Sequence, residues 1–236
     1  MIVFYTLALL AEIIGTVGGF GSSLFFVPLA IHFFGFHRAL GITAMLHLFS
    51  NVSKIALFRE GIDWSLFLRI GITSILLVIV GAWLSRYIPG DTATLVLGIF
   101  MCLFAGFLLL RPGFVISPTN TNAAVGGGLA GFMAGLVGTG GAIRGLTLSA
   151  FRVDKAVFLA TSALIDLGVD ATRFGVYVAQ DYLVSDDLML AIPLLLVSGM
   201  GSYMGKIILD RLTYERFRLI SLLLILLVGL YTLLNP

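Results

Sequence analysis

The stretch Gly15-Thr-Val-Gly-Gly-Phe-Gly21 sits inside an apolar run and returns as Gly135-Leu-Val-Gly-Thr-Gly-Gly141. Gly15, Gly18 and Gly21 each fall 120 positions before Gly135, Gly138 and Gly141. Glycines this dense free backbone N–H and C=O groups that hydrocarbon cannot satisfy. Such breaks survive in a membrane only inside protein or beside a wet cavity. Gly127, Gly131 and Gly135, spaced by four, read instead as a face for close helix packing.

The surroundings make the membrane reading firm. Of 236 residues, 59% are hydrophobic and only 11% charged, with a mean hydropathy of +1.11. A soluble domain carries about a quarter of its residues charged, so most of this surface faces something other than water. The apolar runs reach about 20 residues, the length a helix needs to cross roughly 30 Å of hydrocarbon. The alternating ten-residue segments of a β-barrel are not seen. The class is therefore an all-α integral membrane protein, multi-pass in a cell membrane and surrounded by lipid.

Working outward from the two glycine clusters divides the chain. A broken segment at 2–35 is followed by helices at about 38–58, 64–87 and 91–110. The polar stretch Arg111–Asn122 is the natural linker. A second broken segment at 123–151 precedes helices at about 154–180, 185–209 and 213–234. His37-Arg-Ala39 aligns with Asp154-Lys-Ala156 after a three-residue shift. Residues 1–110 and 123–236 thus read as two repeated halves, each a glycine-broken segment plus three transmembrane helices. Repeated halves are common in secondary transporters.

Each broken segment is about 30 residues, too long for one upright crossing and too short for two. It either re-enters or crosses once. If it re-enters, Arg59, Arg111, Arg152, Lys155, Lys206, Arg211, Arg216 and Arg218 share one side, with Arg38 and Arg86 opposite. The other arrangement divides the charges just as unevenly. Both place the 206–218 loop in the cytoplasm and both termini outside, extracellular or periplasmic. The net charge of +2 reflects those loops and not nucleic-acid binding. Met1-Ile-Val-Phe lacks the basic start and cleavage site of a signal peptide, so the first segment reads as mature protein.

Gly15–Leu29, with its glycines followed by Val27-Pro-Leu29, resembles the opening motif of the sulfite exporter TauE/SafE family. Gly135–Gly141 is similar to that family's second copy, and the resemblance runs over almost the whole chain. It implies transport of sulfur-containing anions such as sulfite or sulfonates, by two inverted halves. The second copy departs from the pattern: it reads Ala142-Ile-Arg-Gly-Leu146, with Arg144 where an apolar residue is usual.

Ionisable groups within apolar spans are costly and functional by default. Thr43, His47, Asn51 and Lys54 share one helix face, as do Asp166, Asp170 and Arg173 on another helix. Lys54 and Arg173 lie near enough to predicted helix ends to snorkel, and Asp170 with Arg173 can neutralise within a turn. Glu12 and Arg144 flank the two breaks. Arg144 follows Gly138-Thr-Gly-Gly141, whose free N–H groups and the guanidinium fork suit an oxyanion. The candidate substrate site is therefore Arg144, Gly138, Thr139, Gly140 and Gly141, with Gly18, Gly19, Gly21, His47 and Asn51 facing it. Asp166, Asp170 and Glu12 are the candidate coupling carboxylates for a proton, or for sodium.

Cys102 is alone, no His or Cys cluster suggests a metal, and no Walker-type loop suggests ATP. No cofactor is implied. A secondary transporter of small anions is the leading expectation. An anion channel using the breaks as a constriction is the second, and an intramembrane enzyme using Asp166 and Asp170 the third.

Overall fold

A computed structural model of the protein describes residues 1–18, 21–58, 61–209, 211 and 214–235. Of the residues singled out from sequence, Gly19 and Arg59 lie outside this set, as do the side chains of Lys155, Arg216 and Arg218. Every regular element among the described residues is helical.

The first glycine cluster divides two short helices, α1 (Ile2–Gly18) and α2 (Ser23–Phe34). Seventeen and twelve residues span only about 25 and 18 Å, less than a bilayer core. They fold back on one another. A Cβ on Gly15 would lie 2.3 Å from Ser22 Cα, and Phe4 packs edge-on against Phe34 at 5.1 Å. α3 (Phe36–Leu57) follows directly after Gly35.

The next crossing, Trp64–Tyr87, is one 24-residue apolar span. It comprises α4 (Trp64–Leu66), a π-turn at Phe67–Gly71, α5 (Ile72–Leu84) and a final 3₁₀ turn at Ser85–Tyr87. α6 (Gly90–Leu110) completes the first stretch.

After the linker the order repeats. α7 (Asn120–Val137) and α8 (Gly141–Ser149) form the second hairpin around Gly138–Gly140. α9 (Lys155–Ala179) follows, then a 3₁₀ entry at Ser185–Leu190 into α10 (Ala191–Leu209), and last α11 (Tyr214–Leu234). Phe36–Leu57, Trp64–Tyr87, Gly90–Leu110 and Ser185–Leu209 are each long and apolar enough to span a membrane. Side chains such as Ile2, Leu103, Ile192 and Leu227 are exposed, whereas Glu12, Asp170 and Arg173 are buried. Apolar outside and charged inside is the arrangement of a protein bathed in lipid.

Small residues set the helix contacts, as expected where lipid offers no hydrophobic drive between helices. Cβ atoms added to Gly127, Gly131 and Gly135 would lie 2.3, 2.0 and 2.4 Å from the carbonyls of Ile70, Ser74 and Val78. The three contacts advance together, so α7 runs parallel to α5. In the same way Gly201 meets Glu12 and Gly205 meets Thr16, so α10 runs parallel to α1. α6 and α11 are antiparallel, because Gly98 meets Leu233 while Gly229 meets Met101. α3 and α9 are antiparallel too, with Asn51 on Asp170 and His47 on Arg173.

Candidate functional site

The two breaks meet. Ser23 Oγ lies 3.0 Å from Thr139 Oγ1, and a Cβ on Gly21 would sit 3.6 Å from Gly141 Cα. Gly21 and Gly138 both hold φ of +83°, a conformation that only glycine adopts without strain. Each allows a helix to stop and a new one to start within a few residues. α2 and α8 therefore begin at the same place, and their N-termini bring free N–H groups and the positive ends of their dipoles together.

Between them lies a polar cavity. Gly21, Ser22, Ser23, Gly138, Gly140 and Gly141 line it from the breaks. His47, Asn51 and Lys54 come from α3, Arg144 from α8, and Asp166, Asp170 and Arg173 from α9. The open space is about 20 Å³, room for one water-sized group. An anion with several oxygens enters only if a side chain moves.

Three ion pairs surround this space. Arg144 holds Asp166 through NH1 and donates from Nε to Ser162 Oγ at 3.0 Å. Arg173 holds Asp170 at 2.7 Å, donates to the carbonyls of Ala134 (3.0 Å) and Gly138 (2.9 Å), and reaches His47 Nδ1 at 3.0 Å. Asn51 donates to the other Asp170 oxygen at 2.6 Å. Lys54 Nζ lies 2.7 Å from Glu12, which also accepts from Ser22 at 2.6 Å, Thr16 at 3.2 Å, Ser202 at 3.3 Å and Ser50. With all six groups ionised, three carboxylates balance three cations. Pairing of this kind is what makes buried charge tolerable.

The histidine tautomer follows from its neighbours. Arginine only donates, so His47 Nδ1 accepts, and neutral His47 carries its proton on Nε2. Nε2 lies 3.0 Å from Ser22 Oγ, which in turn donates to Glu12. A hydrogen-bonded chain thus runs from Arg173 through His47 and Ser22 to Glu12, joining two of the ion pairs.

Of the candidates named from sequence, Arg144, Gly21, Gly138, Gly140, Gly141, His47, Asn51, Asp166 and Asp170 line one cavity. Thr139 binds Ser23, Gly18 ends α1, and Glu12 lies behind Ser22 and Lys54. Thr43 takes no part, since its hydroxyl bonds back to the Ala39 carbonyl at 2.6 Å.

The snorkelling expectation for Arg173 and Lys54 is corrected. The Arg173 side chain is 1% exposed and Lys54 turns inward to Glu12, because each finds a carboxylate within 2.7 Å inside the bundle. Sequence reasoning missed Lys54 as Glu12's partner, and it missed the serines. The signals available were the Ser22-Ser23 pair after the first break and Lys54 one turn beyond Asn51.

These features define the class: a multi-pass helical membrane protein whose charged centre is sealed from lipid by its own helices. The chain belongs to the sulfite exporter TauE/SafE family, whose sequence profile matches residues 4–232. It is thus a member of a membrane transporter family that exports sulfite-type anions. Neither the curated proteins nor the solved structures gave a match.

Proposed function

We propose that this chain is a secondary transporter that moves a small sulfur oxyanion or sulfonate by alternating access. The observation that carries the reading is the convergence of the α2 and α8 N-termini on a cavity that also holds Arg144. Half-length helices aimed at a mid-membrane site are how transporters bind anionic groups. Arg144 and the N–H groups around Gly138, Thr139, Gly140 and Gly141 bind the anion. Gly18 and Gly21, with His47 and Asn51, form the facing wall, and Gly19, outside the described residues, is proposed with them from the sequence alone.

The arriving anion displaces Asp166 from Arg144 with uptake of one proton per monovalent anion by the coupling carboxylates, of which Asp166 is one. Its side chain is 20% exposed against 5% for Asp170, which makes it the more accessible of the two. Asp170 and Glu12 carry the remaining coupling charge.

Residues 1–110 and 123–236, joined by 111–122, act as inverted halves. Support comes from the helix directions. The α1–α10 contact has its counterpart in α7–α5, and the pairs α3–α9 and α6–α11 are antiparallel. A two-fold axis along the membrane normal would leave those pairs parallel, whereas an axis in the membrane plane reverses them. Hairpins that fold back put Arg111, Arg152, Lys206 and Arg211 on one side and Arg38 and Arg86 on the other. The first side is cytoplasmic and both termini are outside. A cysteine placed at Asn235 is expected to react with an impermeant maleimide in intact cells, while one at Arg211 is protected. The reverse pattern overturns the orientation.

Purified protein in vesicles is expected to show saturable counterflow of sulfite or of an alkanesulfonate. Ohmic single-channel current in place of saturable counterflow would make it a channel.

A further inference from the structure

We infer that Lys54 is a second anion-contacting cation, held away from the substrate by Glu12 and released to it when Glu12 takes a proton. The inference rests on the anion-transport reading above and adds a residue and a regulation to it.

The three cations of the centre are not held alike. Arg173 is fixed by Asp170, His47 and two backbone carbonyls, and Arg144 by Asp166 and Ser162. Among the described contacts, the Lys54 ammonium holds only the Glu12 carboxylate. Lys54 nevertheless lines the cavity that Arg144 enters, and Glu12 does not. Its flexible stem lets the ammonium turn from one to the other.

Glu12 is built to survive that change. It is fully buried and accepts from Thr16, Ser22, Ser50 and Ser202 besides Lys54. That is five donors on two oxygens, more than the roughly four lone-pair sites of a carboxylate. Losing one donor and gaining a proton leaves the group neutral and still bonded.

Among the described residues, the groups around Glu12 leave no other charge to take that place. α3 brings Lys54 and, through Ser22, His47. α10 brings Ser202, and its Lys206 is engaged at the Leu57 carbonyl, 2.9 Å away. Arg144, Asp166, Asp170 and Arg173 line the cavity, from which Ser22 and Lys54 separate Glu12. The bookkeeping of charge closes as well. A proton on Glu12 leaves Lys54 unbalanced by one positive charge, which a monovalent anion cancels. Anion and proton then share a single neutral loaded state.

The test uses the full chain in proteoliposomes with methanesulfonate, which stays a monoanion between about pH 5 and pH 8. In the unaltered protein KM is expected to fall as pH falls. Glu12→Gln imitates the protonated acid. It is expected to hold KM low and flat across that range, with KM at the alkaline end about tenfold below the unaltered protein, the worth of one charge-assisted hydrogen bond. Glu12→Gln/Lys54→Met removes both charges together, a change buried pairs usually tolerate. It is expected to give a flat profile with KM about tenfold above that of Glu12→Gln. If Glu12→Gln does not fold, as judged by gel filtration and thermal unfolding, the double variant decides alone. A flat profile supports the inference, and an unaltered pH profile overturns it. Full transport by a well-folded Arg144→Gln would sink the underlying anion-site reading. An abolished Arg144→Gln beside an unaltered profile for the Glu12 variants would sink only this inference.

Discussion

The two hairpins share an architecture and reverse its charge. At the first, α1 supplies an acid, Glu12, and the helix after the hairpin, α3, supplies the base Lys54. At the second, α8 supplies a base, Arg144, and the helix after the hairpin, α9, supplies the acid Asp166. Glycines break the backbone in both, with one left-handed glycine in each. The difference teaches that glycines shape the scaffold, where they permit close approach, but not the chemistry. A centre with an acid before one break and a base after the other has a direction.

The largest effect expected lies at the second hairpin. Arg144→Gln should leave a folded protein without saturable uptake of sulfite in vesicles. Arg144→Lys should keep a weakened part, because lysine retains the charge and loses the fork. If Arg144→Gln instead lowers stability, and adding Asp166→Asn restores both stability and transport, the arginine is structural and the contrast between the hairpins loses its functional meaning.

Next in size, Asp170→Asn strips the partner from a fully buried guanidinium and should destabilise by about 3–5 kcal/mol. Asp166→Asn, at a more exposed position, should lose less. Chemical unfolding in detergent ranks the two, and the opposite order would contradict the burial difference.

Gly131→Ala tests the frame instead of the charges. Its new methyl would meet the Ser74 carbonyl at 2.0 Å, so α5 and α7 must separate, at about 1–3 kcal/mol. Gly106→Ala meets nothing within 4 Å and should change stability by no more than about 0.5 kcal/mol. Equal melting shifts for the two would show that the glycine-fitted contact does not hold the frame.

Much of the frame was legible in the sequence. Glycine clusters and apolar run lengths placed both breaks and every long helix within a few residues, because each signal is local. The close packing of Gly127, Gly131 and Gly135 was readable from spacing, but its target, the carbonyls of Ile70, Ser74 and Val78, was not. Helical periodicity likewise put His47, Asn51 and Lys54 on one face, and Asp166, Asp170 and Arg173 on another. What periodicity cannot supply is which faces meet. Glu12 with Lys54, and Asn51 with Asp170, are joined only by the packing of separate helices. Lys54 therefore looked like a residue reaching for the membrane surface, when a carboxylate waited on α1. The αL glycine also fell at different places in the two breaks, Gly21 after the first gap and Gly138 before the second, which the common register did not foretell.

The parallel pairing of α1 with α10 and of α5 with α7 has a consequence for how the protein is made. α1 precedes the other described helices in the chain, yet the helix that covers its Glu12 face with Gly201 and Gly205 is made only after α9. Until then the translocation machinery, or a chaperone, must shelter a carboxylate and a groove shaped for a glycine backbone. Residues 1–110 made alone are expected to be degraded, and to be rescued when 123–236 are made beside them as a separate chain. A stable 1–110 fragment, followed by pulse-chase labelling, would show that the two stretches are not interlocked. Biogenesis is then concerted: the face of α1 closes only after α10 has left the ribosome.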